Sequence, residues 1–207
     1  MTSDAFLKKI IKPAVFISSL LPLFYLIWKA LTDGLGANPV EKTMHRTGDW
    51  TLNFLLITLS LTPLRNITGW SWLSRFRRMT GLFAFLYASL HFLTYAGFDQ
   101  LFALESIIKD AVKHKRIFVG FGTFIILLTL ALTSSNKIVK RIGAKRWQAI
   151  HRLTYLAAIG GVIHYLWLVK IDIRLPLVYA GVLALLLGCR IFLLIARKLK
   201  NVDEYNP

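Results

Sequence analysis

Acidic residues are scarce in this chain: 10 Asp and Glu stand against 26 Lys and Arg in 207 residues, a formal net charge of +16. Cysteine is scarcer still. The one thiol, Cys189, sits in an apolar run, which excludes a disulfide framework and reads as a small buried hydrophobe. There is no Cys-x-x-Cys motif, no glycine-rich phosphate loop, no internal repeat and no low-complexity tract. Thiol redox chemistry, nucleotide binding through such a loop and a repeat architecture therefore have no support in the sequence.

What is present is apolar length. Hydrophobic residues make up 56% of the chain, and about six runs approach the roughly 20 mostly apolar residues a bilayer-spanning helix needs. They cover 10–31, 49–64, 80–97, 117–133, 150–169 and 173–195. The second is short and ends at Pro63, which predicts a tilt or a shifted boundary. The first follows Lys8, Lys9 and Lys12 but is too long for the apolar core of a signal peptide, so it reads as a retained span. The expected fold is an all-α integral membrane protein, a bundle of about six transmembrane helices over 10–195, between an N-terminal segment 1–9 and a tail 196–207.

The distribution of charge sets the expected orientation. Lys8, Lys9 and Lys12, then Arg65, Arg75, Arg77 and Arg78, then Lys137, Lys140, Arg141, Lys145 and Arg146, then Arg197, Lys198 and Lys200 fall at alternate span ends, on one side. The positive-inside rule makes that side cytoplasmic, with both termini on it. The opposite loops carry Asp33, Glu41, Asp49, Asp99, Glu105, Asp110 and Asp172. A basic inner face suits anionic lipid headgroups, so the net charge requires no nucleic acid partner.

Three histidines lie inside apolar stretches, His91 in span three and His151 and His164 in span five. An imidazole at bilayer depth marks a ligand, a proton path or a hydrogen bond between helices. At about 1.5 Å rise per residue, His91 and His164 come to a similar depth of roughly 17–21 Å on parallel spans, in the outer half. They are the candidate pair of axial ligands to a haem iron. His151 lies about 20 Å lower, beside the interfacial Trp147 and Arg152. An ideal helix rotates about 220° over the intervening thirteen residues, so a bend is expected at Gly160 and Gly161. Those glycines, with Ala84 and Ala88 beside His91, would also let a flat porphyrin approach. His45 and His114 read as solvated residues at loop ends.

The segment 99–116 places Leu101, Leu104, Ile108 and Val112 at helical spacing among charges, which reads as an interfacial helix on the outer side. It is either a docking platform for a periplasmic partner or a connector lying on the membrane.

Histidines in spans three and five of a six-span protein resemble the transmembrane domain of ferric reductases and NADPH oxidases. More closely, RRMTGLFAFLYASLHFLTY at 77–95 and WQAIHRLTYLAAIGGVIHYLW at 147–167 resemble the MsrQ (YedZ) family of bacterial haem-binding membrane subunits. The resemblance implies haem b and FMN as cofactors. It also implies electron delivery from the respiratory quinone pool to MsrP, a periplasmic molybdopterin subunit that repairs oxidised methionines. His91 and His164 match the outer haem pair, and His151 matches the inner haem ligand of the oxidases.

The chain departs from the oxidases where a partner for His151 should stand, at Arg77 or Arg78. A guanidinium stays protonated and is not an ordinary haem ligand. Its forked donors suit a flavin phosphate or a haem propionate, or simply anchor the span end. The oxidases also append a soluble flavin and nicotinamide domain where this chain reads ARKLKNVDEYNP. Electrons are therefore expected from a membrane quinol or a separate cytoplasmic flavin reductase. The chain is not expected to act on methionine sulfoxide by itself. Two alternatives stand beside this reading: a ferric-reductase-type cytochrome b serving a soluble acceptor, and a membrane anchor without redox function.

Overall fold

The computed structural model describes residues 3–169 and 171–203. Residues 1–2 and 204–207 of the two expected flanking segments lie outside the described residues, as do the side chains of Arg197, Lys198 and Lys200. Every regular element among the described residues is helical.

The chain opens with α1 (Ser3–Phe6), a π-helical turn over Leu7–Ile11 and α2 (Lys12–Leu31) in one continuous run. Next comes α3 (Pro39–Thr68), which the Asn38 side chain caps by accepting from the Glu41 backbone N–H at 3.1 Å. It stops at Gly69, whose φ of 74° is the left-handed conformation glycine adopts freely. A 3-10 turn over Ser71–Phe76 leads into α4 (Arg77–Thr94), which closes in a π-helical turn over Tyr95–Asp99. The short α5 (Leu104–Lys113) follows, then α6 (Lys115–Leu132), α7 (Asn136–Ile142), α8 (Ala144–His151), α9 (Leu153–Leu168) and α10 (Arg174–Asp203).

Among the described residues four helical stretches are long and apolar enough to cross a membrane: Leu7–Leu31, Ser71–Asp99, Lys115–Leu132 and Arg174–Ala196. They coincide with the first, third, fourth and sixth apolar runs. The other two expected spans fall on α3 and α9, and each misses for a physical reason. The 16 residues of α9 are cut short by an interruption at Arg152. The 30 residues of α3 are the least apolar of the long helices because α3 is the centre of the bundle, packed against α2, α4, α9 and α10. A helix enclosed by protein does not have to match the polarity of lipid; it has to match its neighbours in shape.

That match is visible in the core. Phe54 of α3 stacks on Phe83 and Tyr87 of α4, with ring centroids 5.5 and 5.4 Å apart. Ala84 and Ala157 are fully buried in the same cluster, where small side chains let helix backbones approach. The buried Tyr87 hydroxyl donates to the Ser19 carbonyl at 2.8 Å, tying α4 to α2. Leu7, Leu61 and Phe76 form a smaller cluster that joins the basic ends of the first three long helices. At the same end Arg78 donates to Asn136 at 2.6 Å. These contacts bring the basic segments near Leu7, Leu61, Phe76 and Asn136 together.

Candidate functional site

Two cavities lie one above the other in the bundle, and between them they hold every site residue the sequence nominates. At the less basic end, His91 of α4 and His164 of α9 line a largely apolar cavity of about 140 Å³ with Leu52, Leu55, Phe92 and Phe124. The imidazole centroids are 6.1 Å apart and the ring planes cross at 85°.

Both rings are held in the same way. His91 Nδ1 is 2.8 Å from the Met44 carbonyl of α3 and His164 Nδ1 is 2.7 Å from the Arg116 carbonyl of α6. A carbonyl oxygen only accepts, so each Nδ1 carries the proton and each Nε2 keeps its lone pair. This is the arrangement of metal-ligating histidines, whose outer N–H goes to a carbonyl that fixes the ring and raises its basicity. An iron between two Nε2 atoms, at metal–nitrogen bonds of about 2 Å, would hold the ring centroids about 6 Å apart. The observed separation fits that group, and the apolar walls suit a porphyrin face. Among the described residues no cluster of three or more His, Cys, Asp or Glu could hold a bare metal ion. Two histidines suffice for a macrocycle that supplies its own equatorial nitrogens.

Glycines give the rings their room. A β-carbon on Gly120 of α6 would lie 2.7 Å from Nδ1 and Cε1 of His164, and one on Gly48 of α3 would lie 3.3 Å from Nδ1 of His91. The pair singled out from the sequence acts differently. Gly160 faces Thr123 and Val119, where α9 and α6 pack closely, and Gly161 meets Leu52 of α3 while also lining the cavity. The helix α9 runs unbroken through both glycines, and the helical run is interrupted at Arg152 instead. Ala88 lines the cavity, whereas Ala84 is buried in the core.

The second cavity, about 450 Å³, opens at the basic end. His151, Arg77 and Arg78 meet in its walls with Arg152, Arg190 and Trp147, and among the described residues no Asp or Glu lines it. Trp147 stacks on His151 at 4.1 Å, and His151 Nε2 is 3.2 Å from the Thr133 hydroxyl. Arg190 of α10 bonds to the Tyr155 hydroxyl and, at 2.5 Å, to the Leu59 carbonyl, while its buried Nε has no partner. Sequence reasoning passed over Arg190, although a lone arginine in the apolar run 173–195 is the signal that finds it.

The outer rim departs from expectation as well. His45 is not at a loop end; it sits within α3, lines the His91 cavity and lies 3.7 Å from Glu41. His114, at the start of α6, contacts Asp110 at 2.7 Å. Leu104, Ile108 and Val112 form the exposed stripe the spacing predicts, but the adjoining stripe of α5, Ile107 and Ala111, is buried and roofs the cavity. Asp110 fastens this roof: it accepts from the Tyr95 hydroxyl at 2.6 Å and from Gln100 at 3.3 Å.

The Tyr95 hydroxyl, with help from His114, holds the Asp110 carboxyl below its usual range against an opposing effect of burial. A depressed carboxylate pKa adds stability above the unfolded value of about 3.9 that is lost as pH falls through the folded value. Amide hydrogen exchange in α5 should therefore stay slow from pH 7 to about 4 and quicken only below that. Asp110→Asn should quicken it already at pH 7, and loss of protection between pH 7 and 5 in the unaltered protein would contradict the assignment.

The bundle surrounds a histidine pair and a second, basic cavity, and residues 47–162 match the family of ferric reductase like transmembrane components. Over 194 residues the chain is 48% identical to the protein-methionine-sulfoxide reductase heme-binding subunit MsrQ of Herminiimonas arsenicoxydans, covering 93% of this chain and 89% of that protein. It is 49% identical over 182 residues to MsrQ of Azospira oryzae, covering 87% and 78% of the two chains. With MsrQ of Rhodospirillum rubrum it shares 46% identity over 185 residues, 89% of each chain. The chain belongs to the MsrQ family of multi-pass membrane haem-binding subunits.

Proposed function

We propose that this protein is the haem-containing electron-transfer subunit of a bacterial inner-membrane system for repairing oxidised periplasmic proteins. It would take electrons from the quinone pool or a cytoplasmic flavin reductase and pass them to MsrP, the catalytic subunit that reduces methionine sulfoxide. The observation that carries this reading is the matched pair His91 and His164, each tied through Nδ1 to a backbone carbonyl and 6.1 Å apart between ring centroids.

In this reading His91 and His164 are the axial ligands of haem b, which when bound supplies one-electron transfer at its iron. The Met44 and Arg116 carbonyls keep each Nε2 deprotonated and aimed by holding the proton on Nδ1. The apolar walls and the α5 roof exclude water. Two protein ligands leave no open iron position, which favours electron transfer over oxygen binding.

At the basic end, Arg77 and Arg78 present forked cations to a cavity without carboxylates, and Trp147 adds an aromatic face against His151. This combination suits FMN, with its phosphate on the arginines, better than a second haem that would lack a partner for His151. Counting α3 and α9 as spans gives six over 10–195, and the positive-inside rule then puts both termini in the cytoplasm. In this reading the basic cavity faces the donor and the histidine pair faces the periplasm. The similarity to proteins named as heme-binding subunits of a methionine-sulfoxide reductase supports the acceptor.

The test is a transfer experiment in lipid nanodiscs. The chemically reduced protein is mixed with MsrP and an oxidised methionine substrate, and the haem absorbance is followed. Reoxidation that requires both MsrP and substrate is the expected result. Reoxidation by a soluble ferric chelate with no response to MsrP would favour the ferric reductase alternative.

A further inference from the structure

We propose that Arg116 binds a carboxylate of the tetrapyrrole in the upper cavity and so selects a ligand carrying free propionates. This rests on the haem reading of His91 and His164 and extends it to a residue outside the ligand pair.

Arg116 is the second residue of α6, and its backbone carbonyl accepts the His164 Nδ1 proton at 2.7 Å. One proposed iron ligand thus fixes where the Arg116 backbone stands. The next residue, Ile117, and Gly120 beyond it line the cavity. The Arg116 backbone therefore stands beside the cavity wall, on the side of His164.

Its own hydrogen bonding is incomplete. Arg116 Nε is buried and has no hydrogen-bond partner. The charge of Arg116 acts on Asp110, yet that carboxylate is already taken by Tyr95, Gln100 and His114, at 2.6, 3.3 and 2.7 Å. A guanidinium cannot shed its proton to escape burial, so the cation needs an anion supplied from elsewhere. Its planar fork matches a carboxylate with two parallel hydrogen bonds.

The rest of the rim points the same way. Besides the histidine pair, the titratable groups on the described cavity wall are His45 and Asp49 of α3, Tyr95 and Tyr165, and Asp49 is the one carboxylate among them. A carboxylate on α3 disfavours an anion there and leaves the α6 side, where Arg116 stands, as the favourable one. Haem b carries its two propionates on one edge and nothing charged on the other three, so this asymmetry would also fix the rotation of the ring about the iron axis.

The experiment compares two probes, haemin and its uncharged dimethyl ester, titrated into haem-depleted protein in nanodiscs and read from the low-spin absorption spectrum. The unaltered protein should prefer haemin by about tenfold or more, the scale of a charge-assisted pair. Arg116→Gln should bring the ratio close to one, while Lys115→Gln, an exposed neighbouring cation, should leave it unchanged. Arg116→Lys keeps the charge without the fork and should retain only part of the preference, which decides the matter if the glutamine variant does not fold. An undiminished preference in the Arg116 variants would overturn the assignment. Failure of both probes to give a low-spin spectrum that depends on His91 and His164 would instead overturn the haem reading beneath it.

Discussion

Replacing either His91 or His164 with alanine should strip haem from the purified protein, whereas His151→Ala should leave the upper haem in place. Each imidazole contributes one of two axial bonds and is held by one carbonyl, so neither ring can take over when the other is lost. Loss of the hydrogen-bond partner behind a metal-ligating histidine alone costs about 10–100-fold in metal affinity, and loss of the ligand itself should exceed that. The haem-to-protein ratio measured by absorbance should therefore fall at least about tenfold in both variants. His151 faces a different cavity, packed on Trp147, and its removal should change only what binds there. Equal retention of haem by all three variants would show that the upper pair only packs α4 against α9.

Gly120→Ala should cost nearly as much, although it adds a single methyl group. The new β-carbon would stand 2.7 Å from His164 Nδ1 and Cε1, closer than carbon atoms pack, so the ring must turn away from the Arg116 carbonyl. Overpacking of this kind typically costs about 1–3 kcal/mol of stability, and here it also misdirects a ligand. Lower thermal stability and a substoichiometric haem content are the expected outcome. Gly122→Ala is the matched control on the same helix, because nothing lies within 4 Å of its added carbon. It should keep both properties and gain slightly in helix propensity. If both variants behave alike, the close approach of α6 to His164 is not what seats the ring.

These effects turn on residues with different legibility in the sequence. His91 and His164 announce themselves because polar rings in apolar runs are expensive, and counting residues from the span ends is enough to bring them to one depth. Their partners do not, since the acceptors are the backbone carbonyls of Met44 and Arg116, which every residue has. Gly48 and Gly120 are equally silent: each matters only because a helix remote in sequence lays a histidine against it. The double glycine at 160–161 was conspicuous and was read toward the porphyrin, yet Gly160 serves the α6–α9 contact instead.

The same contrast runs through the fold. Apolar runs located the four helices long and apolar enough for a bilayer, whose surfaces are largely exposed. They understated α3, which starts at Pro39 rather than near residue 49, because a helix enclosed by four others can afford Asn53, Thr58 and Asp49 along its length. The stripe of Leu104, Ile108 and Val112 showed that α5 is amphipathic. That Ile107 and Ala111 roof the histidine cavity depends on the π-helical turn at Tyr95–Asp99 and on Asp110, neither of which periodicity reveals.

The most direct measurement is pulsed electron paramagnetic resonance of the oxidised protein, purified with and without ¹⁵N-labelled histidine. Two equivalent histidine nitrogens coupled to a low-spin ferric iron are the predicted result, with one lost in His91→Ala and one in His164→Ala wherever residual haem permits the reading. A high-spin iron with a single histidine, or a low-spin signal untouched by either substitution, would contradict ligation by this pair.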